Sequence, residues 1–493
     1  MCGIVGIFGE VNENDICKMM EIVKHRGPDG EGVFMDDNAA IGHTRLSIID
    51  LDTGAQPISN ETEKIKIVAN GEIYNYKELA ATISNHSFKT KSDTEVIVHL
   101  YEDFGLDTFQ KLDGMFALAI YDDGDLILAR DPLGIKPLYY AESNGVLFFA
   151  SEIKAIIPFC LDIKEFPSGH CFHSKSGFRR FFSIRTETKN NCSDDYLNTS
   201  LYDQFDKSVR KRLMSDVPLG VFLSGGLDSS LVSAFAKKYI DRLHSFSVGV
   251  KDSLDREFAF DVANFLGTIH HEYTLDVSEM IRAIPDIIFY LESFDAALVR
   301  SAIPNYFLCK MTKEYVKVVL SGEGADELFA GYSYLEELEN GEKLDAELLY
   351  ITDSLHNTNL QRVDRMTMAH GIEGRVPFLD EKMVQLAFSI PVRYKMDRRK
   401  RIEKLILKKA FMNELPESVI NRKKEKFSIG CGSAMEVRKV IEKQVSDDDF
   451  KRERFLVNGY ALSSKEELYY YRVFQELFDG KINLDLVGKS RSL

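Results

Sequence analysis

The sequence predicts an α+β domain built on β-sheets, followed by an α/β domain with a doubly wound parallel sheet and a helical C-terminal part. Short apolar runs separated by Gly, Asp and Asn fill roughly the first 180 residues, which is typical of a β-rich domain. Further on, strand-like and helix-like runs alternate, as they do in the βαβ units of a parallel sheet. After about residue 350 the pattern is mostly helical.

The strands predicted for the first domain are, in order, CGIVGIF, AAIGHTRLSIID, KIKIVANGEIY, MFALAIYD, DLILARD and VLFFAS. One helix is predicted over residues 93–104, with Asp93 as its N-cap. The stretch RGPDG at residues 26–30 predicts a turn or a mobile loop, because Pro28 presets φ and its flanking glycines allow sharp bends.

Residues 184–200 are polar and lack periodicity, which predicts a linker. The two domains are therefore expected to span residues 1–185 and 200–493. The second domain repeats a strand followed by a helix: VPLGVFL and SSLVSAFAKKY, HSFSVGV and REFAFDVANFLG, HHEYTLD and SEMIRAIPDIIFYL, and then the strand VKVVLSGEG. Ligands of such sheets bind at the carboxyl ends of the strands.

Composition excludes several classes of function. A net charge of −15 disfavours a nucleic-acid partner, which requires a basic face. No apolar run approaches the length of a membrane span, and no secretory signal opens the chain, so a cytoplasmic protein is expected. The seven cysteines show no C-x-x-C spacing, so neither a disulfide framework nor a cysteine zinc site is indicated.

Cys2 is a candidate nucleophile. Its position directly after Met1 means that removal of Met1 would give the nucleophile's own residue a free α-amine. An α-amine with a pKa of about 7.7–8.0 is suited to act as the base for a thiol at neutral pH.

The surrounding motifs supply the other groups that such a nucleophile requires. Asn70 and Gly71 are candidates for the oxyanion hole, through a side-chain amide and a backbone N–H. Arg45 could hold the carboxylate of an amino-acid substrate, and Asp93 and Glu72 could hold its ammonium group. Each feature alone also has an ordinary structural explanation, such as a hairpin turn at Asn70 or a helix cap at Asp93.

Taken together, the motifs MCGIVGIFG, HRGPDG, HTRLSIIDL, NGEIYN, SDTEVI, DGMFALAIYD and ARDPLGIKPLYY resemble the class II glutamine amidotransferase domain of glutamine-hydrolysing asparagine synthetases. The resemblance implies an α+β N-terminal nucleophile sandwich. It also implies that Cys2 is the glutaminase nucleophile, that Asn70 and Gly71 form the oxyanion hole, and that Arg45, Asn70, Glu72 and Asp93 bind glutamine.

The stretch VFLSGGLDSSLVSAF places a strand, a glycine-rich loop and a helix in succession. Such a loop can hold a polyanion through its backbone N–H groups and the helix N-terminus. It is no Walker loop, and it resembles the pyrophosphate loop of enzymes that split ATP into AMP and pyrophosphate. The candidate residues are Ser224, Gly225, Gly226, Asp228 and Ser229.

Two other strand ends are expected to meet this loop. Val248 lies where an adenine pocket would form, and VVLSGEGADELFAGY brings Ser321, Gly322 and Glu323 to the same edge. Acidic side chains beside a triphosphate suit Mg²⁺, although acids also favour the first turn of a helix. Lys424, in the loop RKKEKFS, could stabilise charge on departing pyrophosphate, or could be an ordinary solvated cation.

The resemblance to asparagine synthetases continues through SFSVGV, SGEGADELFAGY, NLQRVDRMTMAHGIEGRVPFLD and RKKEKFS. It implies that Glu323 acts as the base for ammonia, Arg300 lies near aspartate and Lys424 supports the transition state. It further implies that Asp228 and Asp326 serve Mg²⁺ and pyrophosphate. The nucleotide contacts it implies are Leu223, Ser224, Gly225, Gly226, Asp228, Ser229, Val248, Ser321 and Gly322.

The sequence departs from the family pattern at three positions. Asn359 stands where some members have an acidic residue, so it is left out of the catalytic set. Gly374 replaces a common Ala, and Ala325 replaces a frequent Ser.

The expected reaction converts aspartate, ATP and glutamine into asparagine, glutamate, AMP and pyrophosphate, with β-aspartyl-AMP as intermediate and Mg²⁺ as cofactor. The expected partners are these small molecules, with no membrane or nucleic acid, and a homodimer is left open. Three alternatives remain: a ligase that activates another carboxylate, as β-lactam-forming relatives do; a hexosamine-phosphate synthase, which has no use for SGGLDSS; and a catalytically idle nucleotide or glutamine sensor.

Overall fold

The computed structural model of the chain describes residues 2–185, 192–338, 341–456 and 459–490. Two six-stranded antiparallel sheets form the first domain, with strand orders β10-β8-β9-β1-β3-β2 and β12-β11-β7-β6-β5-β4. The strands are β1 (Gly3–Phe8), β2 (Gly30–Met35), β3 (Ala39–Arg45), β4 (Ile58–Ser59), β5 (Ile65–Ile73), β6 (Gly114–Asp122), β7 (Asp125–Arg130), β8 (Tyr139–Ser143), β9 (Val146–Ala150), β10 (Lys164–Glu165), β11 (His170–His173) and β12 (Gly177–Arg180).

The two sheets pack face to face. Ile4 and Ile41 of the first sheet share a fully buried apolar cluster with Val68, Ala119 and Leu128 of the second. The helices of this domain are α1 (Glu13–Val23), α2 (Tyr76–Ala80) and α3 (Glu95–Phe104). Helix α1 covers the outer face of the first sheet and α3 packs on the second, so the predicted α+β N-terminal nucleophile sandwich is confirmed.

The second domain is built on a five-stranded parallel sheet in the order β15-β14-β13-β16-β17. Its strands are β13 (Leu219–Phe222), β14 (His244–Gly249), β15 (Ile269–Thr274), β16 (Val318–Leu320) and β17 (Glu373–Arg375). Strands β14 and β15 lie on one side of β13, and β16 and β17 lie on its other side. The carboxyl ends of β13 and β16 therefore meet at the switch point of the sheet, where ligands of doubly wound folds bind.

The helices of the second domain alternate with these strands and then form the C-terminal part. They are α4 (Asp194–Lys211), α5 (Leu227–Lys237), α6 (Leu254–Leu266), α7 (Val277–Leu291), α8 (Ala296–Thr312), α9 (Ala325–Phe329), α10 (Gly341–Asp353), α11 (Asn359–Met368), α12 (Glu381–Ser389), α13 (Val392–Lys395), α14 (Leu405–Ala410), α15 (Glu417–Ile420), α16 (Phe427–Gly430), α17 (Ser433–Ile441), α18 (Asp447–Glu453) and α19 (Lys465–Phe478). Short 3₁₀ helices cover Lys24–Arg26, Gly105–Gln110, Ile153–Ala155, Ser333–Glu337, Ser354–Asn357, Pro377–Leu379 and Leu484–Leu486. Within the described residues, no helix combines the length and apolar character needed to cross a bilayer.

Two local predictions are wrong, and of the turn or mobile loop predicted at RGPDG only the turn is found. The N-cap of α3 is Thr94, because the Asp93 carboxylate instead accepts the backbone N–H of Ile73 at 2.7 Å. Part of the predicted linker, residues 194–200, is helical in α4, which Ser193 caps; residues 186–191 lie outside the described residues. The stretch RGPDG is tied down, since Arg26 is fully buried and Asp29 accepts from Lys317 Nζ at 2.7 Å.

Candidate active sites

Cys2 lies at the start of β1, which is hydrogen-bonded to β3 on one side and β9 on the other. The residue is buried, with 8% of its surface exposed. Its backbone nitrogen donates to Asn70 Oδ1 at 3.0 Å, and its carbonyl accepts from Arg26 Nε at 3.1 Å. The candidate nucleophile therefore sits on a fixed piece of backbone. Met1 itself is outside the described residues.

The surroundings of the Cys2 thiol favour its neutral form. Burial raises the pKa of the thiol, and the carboxylates of Glu373 and Glu72 raise it further, against a hydrogen bond from the backbone of Leu46. A thiolate is the reactive form of cysteine, so the thiol needs a nearby base when substrate is bound.

Asn70 and Gly71 lie next to the thiol on β5. Asn70 is fully buried and its Oδ1 atom is occupied by Cys2, while Nδ2 has no hydrogen-bond partner among the described residues. A buried amide donor without a partner costs free energy, unless a ligand oxygen fills the position. A Cβ atom at position 71 would come within 1.9 Å of Met115 O, so only glycine fits there.

Three buried carboxylates gather beside Cys2. Burial raises the pKa of Asp93 to about 6, and burial together with Glu373 and Asp93 raises that of Glu72 well above its usual range. Glu72 Oε2 has no hydrogen-bond partner among the described residues. The pKa of Glu373 goes the other way: burial opposes its ionisation, but the Arg375 guanidinium at 2.5 Å lowers the value to about 2.

Arg45 ends β3 and is held by backbone oxygens. Its Nη2 atom donates to Asp50 O at 2.5 Å and to Ile49 O at 3.4 Å. Among the described residues no carboxylate lies within ion-pair distance of Arg45, so its charge is available to a substrate carboxylate.

The second candidate site begins at the end of β13. Gly225 has a φ of +70°, and a Cβ atom there would lie 2.5 Å from the backbone of Phe258 and Ala259. The Ser229 hydroxyl joins the loop to α5, since it lies 3.1 Å from Ser224 Oγ and donates to Gly226 O at 3.2 Å. Gly226 caps α5 without a side-chain hydrogen bond, which leaves the first N–H groups of the helix for an anion.

The end of β16 approaches the same loop. A Cβ atom on Gly322 would come within 2.8 Å of Ser229 N, so the two backbones are in contact. One cavity lies over this junction, and its lining includes eight of the nine predicted nucleotide residues: Leu223, Ser224, Gly226, Asp228, Ser229, Val248, Ser321 and Gly322. The structure thus brings together the residues that the sequence placed on three separate strand ends; Gly225 lies in the loop behind them.

Two lysines and two aspartates form an ion-pair cluster at this cavity: Asp228, Asp326 and Lys424 line it, and Lys404 is buried next to the two aspartates. Lys404 Nζ lies 2.5 Å from both Asp228 Oδ2 and Asp326 Oδ1, and Lys424 Nζ lies 2.8 Å from Asp326 Oδ2. Burial alone would raise the pKa of Asp326, but Lys404 and Lys424 lower it well below its usual range. The same pairing raises the pKa of Lys424, whose side chain is 33% exposed.

A second cavity adjoins the first and shares Glu323, Asp326 and Lys424 with it. Glu323 accepts a hydrogen bond from the Arg362 guanidinium. Arg300 also lines the second cavity, where its Nε atom lies 3.1 Å from Glu466 Oε2.

Glu327 also faces the second cavity and is a poorly ionised acid. It accepts hydrogen bonds from the Tyr332 hydroxyl and, at 3.2 Å, from Asn359 Nδ2. Burial raises its pKa to about 7, and the neighbouring Asp326 carboxylate adds to the shift.

The two candidate sites are joined by buried ion pairs between the domains. Arg26, whose Nε holds Cys2 O, donates to Asp364 Oδ2 at 2.9 Å and to Oδ1 at 3.1 Å. Asp364 belongs to α11, the helix that also carries Arg362 and its contact with Glu323. One helix therefore contacts the surroundings of both sites.

Sequence analysis assigned no role to three residues that shape the sites: Arg26, Arg375 and Lys404. Arg26 and Arg375 do lie within quoted motifs, and for Arg375 the apolar residues that follow it were a usable signal. Lys404 lies in a run of basic residues, KRIEKLILKK, and nothing in the pattern distinguishes it from its solvated neighbours.

Family models and curated relatives match nearly the whole chain. The family model described as a glutamine amidotransferase domain matches residues 1–190, and the one described as asparagine synthase matches residues 200–345 and 336–490. A probable asparagine synthetase [glutamine-hydrolyzing] of Dictyostelium discoideum is 38% identical, with 99% of this chain and 96% of the relative covered. Asparagine synthetase B [glutamine-hydrolyzing] of Escherichia coli is 39% identical, with 97% of this chain and 91% of the relative covered. An asparagine synthetase [glutamine-hydrolyzing] of Triphysaria versicolor is 38% identical, with 97% and 86% covered.

Proposed function

Since the chain belongs to the glutamine-hydrolysing asparagine synthetases, we propose that it makes asparagine from aspartate, ATP and glutamine, and releases glutamate, AMP and pyrophosphate. Ammonia would be set free at Cys2 and used at the carboxyl edge of the parallel sheet. The observation that carries the proposal is the buried chain of contacts from Cys2 through Arg26 and Asp364 to α11, because it connects the candidate glutamine site to the helix that contacts the candidate ATP site.

In the first half-reaction, Cys2 Sγ attacks the side-chain amide of glutamine. The thiol proton passes to the α-amine that removal of Met1 would expose, and the α-amine returns it to the amide nitrogen, which leaves as ammonia. Water then hydrolyses the remaining thioester and releases glutamate. The unpartnered Nδ2 of Asn70 and the N–H of Gly71 would hold the oxyanion.

Glutamine would lie between charges of opposite sign. Arg45, which has no carboxylate partner in the described chain, would bind the α-carboxylate, and Glu72 and Asp93 would bind the ammonium group. Binding of a cation should draw both buried acids into their ionised forms, because their pKa values are raised mainly by burial.

In the second half-reaction, the side-chain carboxylate of aspartate attacks the α-phosphorus of ATP, and pyrophosphate leaves. The loop from Ser224 to Ser229 and the N-terminus of α5 would hold the phosphates, with adenine near Val248. Lys424 would stabilise the charge that develops on pyrophosphate. Ammonia then displaces AMP from β-aspartyl-AMP, with Glu323 as the proposed base and Arg300 near the aspartate.

Asp228 and Asp326 fit a role in holding Mg²⁺. Asp228 Oδ1 is buried and has no hydrogen-bond partner among the described residues, which suits a hard cation that prefers oxygen ligands. When bound, Mg²⁺ would supply charge neutralisation for the triphosphate.

Ammonia has to reach the second site without protonation. We infer a buried passage through the interface, alongside Arg26 and α11, since these residues are shielded from water. With saturating aspartate and ATP, glutamate and asparagine should form in a ratio near one. A ratio far above one would contradict the passage.

The decisive test is product analysis by mass spectrometry after incubation with amide-¹⁵N glutamine, aspartate and Mg-ATP. Labelled asparagine together with AMP and pyrophosphate is the expected result. Labelled ammonia and glutamate without asparagine would contradict aspartate as the acceptor and favour a ligase for another carboxylate. The domain limits 1–185 and 200–493, a cytoplasmic location and a homodimer stay predictions.

A further inference from the structure

We propose that the first domain carries a site for one divalent transition-metal ion, best suited to Zn²⁺, formed by Glu61, His86, His99 and Glu102. Glu61 follows β4, His86 lies between α2 and α3, and His99 and Glu102 belong to α3. None of the four is part of the candidate glutamine or ATP sites. The metal would join three separate segments of the chain.

The distances suit a tetrahedral ion. One ligand atom from each of the four side chains lies within 4.8 Å of the others. His86 Nδ1 lies 3.2 Å from Glu61 Oε1 and 4.0 Å from Glu102 Oε2, and His99 Nδ1 lies 3.4 Å from Glu61 Oε2. Zinc bonds of about 2.0–2.1 Å place neighbouring ligand atoms about 3.3 Å apart, so small side-chain movements would complete the site.

His99 provides an independent indication of a ligand. Its side chain is fully buried, and neither ring nitrogen has a partner in hydrogen-bond geometry within the described chain. The nearest acceptors are Glu61 Oε2, 3.4 Å from Nδ1, and Glu95 Oε1, 3.5 Å from Nε2, and such long contacts satisfy a buried imidazole poorly. Coordination through Nδ1 would replace one of these contacts with a metal bond and fix the proton on Nε2.

Each histidine already has a carboxylate behind its second nitrogen. Glu95 Oε1 lies 3.5 Å from His99 Nε2, and Asp103 Oδ1 lies 3.3 Å from His86 Nε2. Metal-bound histidines characteristically donate their other N–H to such a group, which fixes the tautomer and orients the ring. Both histidines would therefore coordinate through Nδ1.

The two carboxylate ligands are also oriented by hydrogen bonds. Glu61 Oε1 accepts the backbone N–H of Ser87 at 2.7 Å, and Glu102 Oε2 accepts from Asn60 Nδ2 at 3.0 Å. These bonds hold the ligands in place before any ion is present.

The excess of negative charge around the four residues also favours the binding of a cation. Four carboxylates surround the two histidines, and among the ion pairs of the described residues they pair only with those histidines. Two imidazoles and two carboxylates favour Zn²⁺ over Mg²⁺ or Ca²⁺, which prefer all-oxygen sites. The ion would brace the segment that leads to Asp93, between His86 and α3.

The test uses the full-length protein as a Cys2→Ala variant, so that the N-terminal thiol cannot bind metal. After treatment with a chelator, zinc is titrated in competition with a chromogenic chelator, and bound metal is counted by elemental mass spectrometry. One equivalent of Zn²⁺ should bind and raise the melting temperature. Cobalt should give the absorption spectrum of a four-coordinate His/carboxylate site.

The variant His86→Ala should lose at least about 100-fold in zinc affinity together with the thermal shift, since it removes a ligand. Asp103→Asn should lose about tenfold, as expected when the group behind a ligand is removed. The matched control is His173→Ala on β11, which should bind zinc normally.

If His86→Ala fails to fold, Glu102→Gln at an exposed position takes its place, with the same expectation. Failure of the parent protein to bind about one equivalent would overturn the proposal. So would zinc affinity that is unchanged in His86→Ala or Glu102→Gln.

Discussion

The two candidate active sites contain buried carboxylates whose pKa values are shifted in opposite directions. Beside Cys2, burial raises the pKa of Asp93 to about 6 and that of Glu72 well above its usual range. In the ATP site, Asp326 is buried as well, but its pKa lies well below its usual range because Lys404 and Lys424 contact it. Burial penalises charge in both places. A cation within contact distance reverses the outcome for Asp326, as Arg375 does for Glu373 beside Cys2. Among the described residues, Asp93 and Glu72 have no cation so close.

The difference corresponds to the charge of the ligand that each site is proposed to bind. The acids beside Cys2 are left under-neutralised, which suits the arrival of a substrate ammonium group. The acids of the ATP site are already neutralised by lysines, which suits the arrival of a triphosphate. Arg375 neutralises the first site only in part: it pairs with Glu373 at 2.5 Å, lies 3.5 Å from Glu72 Oε1, and donates to the carbonyl of Arg212 at 2.7 Å.

The largest effect is expected from Cys2→Ala, which should abolish the activity of the glutamine site and leave that of the ATP site intact. Glutamine-dependent asparagine formation should fall by about 10⁴-fold or more, because the nucleophile is gone. Ammonia-dependent formation should keep its rate, since the ATP site is untouched. Both rates are measured as asparagine formed per enzyme. Loss of both would contradict independent chemistry at the two sites.

The next largest effect is expected from Lys404→Met, which removes the cation between Asp228 and Asp326. The Lys404 side chain is only 3% exposed, and its loss would leave Asp228 and Asp326 with only the partly exposed Lys424 as counter-charge, at 3.6 Å and 2.8 Å. The free energy of unfolding of the second domain, measured by urea titration with circular dichroism as the signal, should fall by about 3–5 kcal/mol.

The control for that experiment is Lys409→Met. Lys409 lies 3.5 Å from Asp194 at the surface, and such an exposed pair should be worth less than about 1 kcal/mol. Equal losses in the two variants would contradict the view that burial makes the Lys404 contacts important.

A smaller effect is expected in the pH dependence of the glutaminase. Asp93 has a pKa raised to about 6, so it is neutral below that pH and binds an ammonium group poorly. For the parent protein, kcat/KM for glutamine should fall about tenfold per pH unit below about pH 8, where the α-amine is protonated, and about 100-fold per unit below pH 6, where Asp93 is protonated as well. Asp93→Asn should lower kcat/KM above pH 6 and remove the additional, steeper acidic limb below pH 6. A limb near pH 8, from the α-amine, should persist in both proteins, and an unaltered acidic limb in the variant would contradict the assignment.

The order of strands and helices was largely predictable, because apolar runs of strand and helix length recur between turn residues. The pyrophosphate loop was predictable for the same reason, as Ser224 to Ser229 follow one strand and open one helix. Motif order also indicated Cys2, Asn70 and Gly71 together.

What the sequence could not predict are contacts between segments far apart in the chain. Asp93 was assigned to a cap because it precedes α3, and only the fold shows that Ile73 N–H claims its carboxylate first. The link between Arg26 and Asp364 spans 338 positions, and no local pattern reports such a pair. The cluster of His86 and His99 escaped notice for a similar reason, since its ligands come from three segments.

The smallest effect is expected from Asn359→Asp. This change would add an acid without a paired cation to the candidate ATP site, and so make that site more similar to the one beside Cys2. Asn359 Nδ2 donates to Glu327 Oε1 at 3.2 Å. An aspartate at position 359 would replace this donor with a second acid, next to Glu327, whose pKa is already raised to about 7. The added negative charge should raise the KM for aspartate less than tenfold in the ammonia-dependent reaction, and the rise should grow between pH 6 and pH 8 as the pair loses its shared proton. Asn359→Leu removes the same hydrogen bond without adding charge, so its KM should not change with pH in this way. Identical pH profiles for the two variants would mean that the hydrogen bond, and not the charge balance of the second cavity, sets aspartate binding.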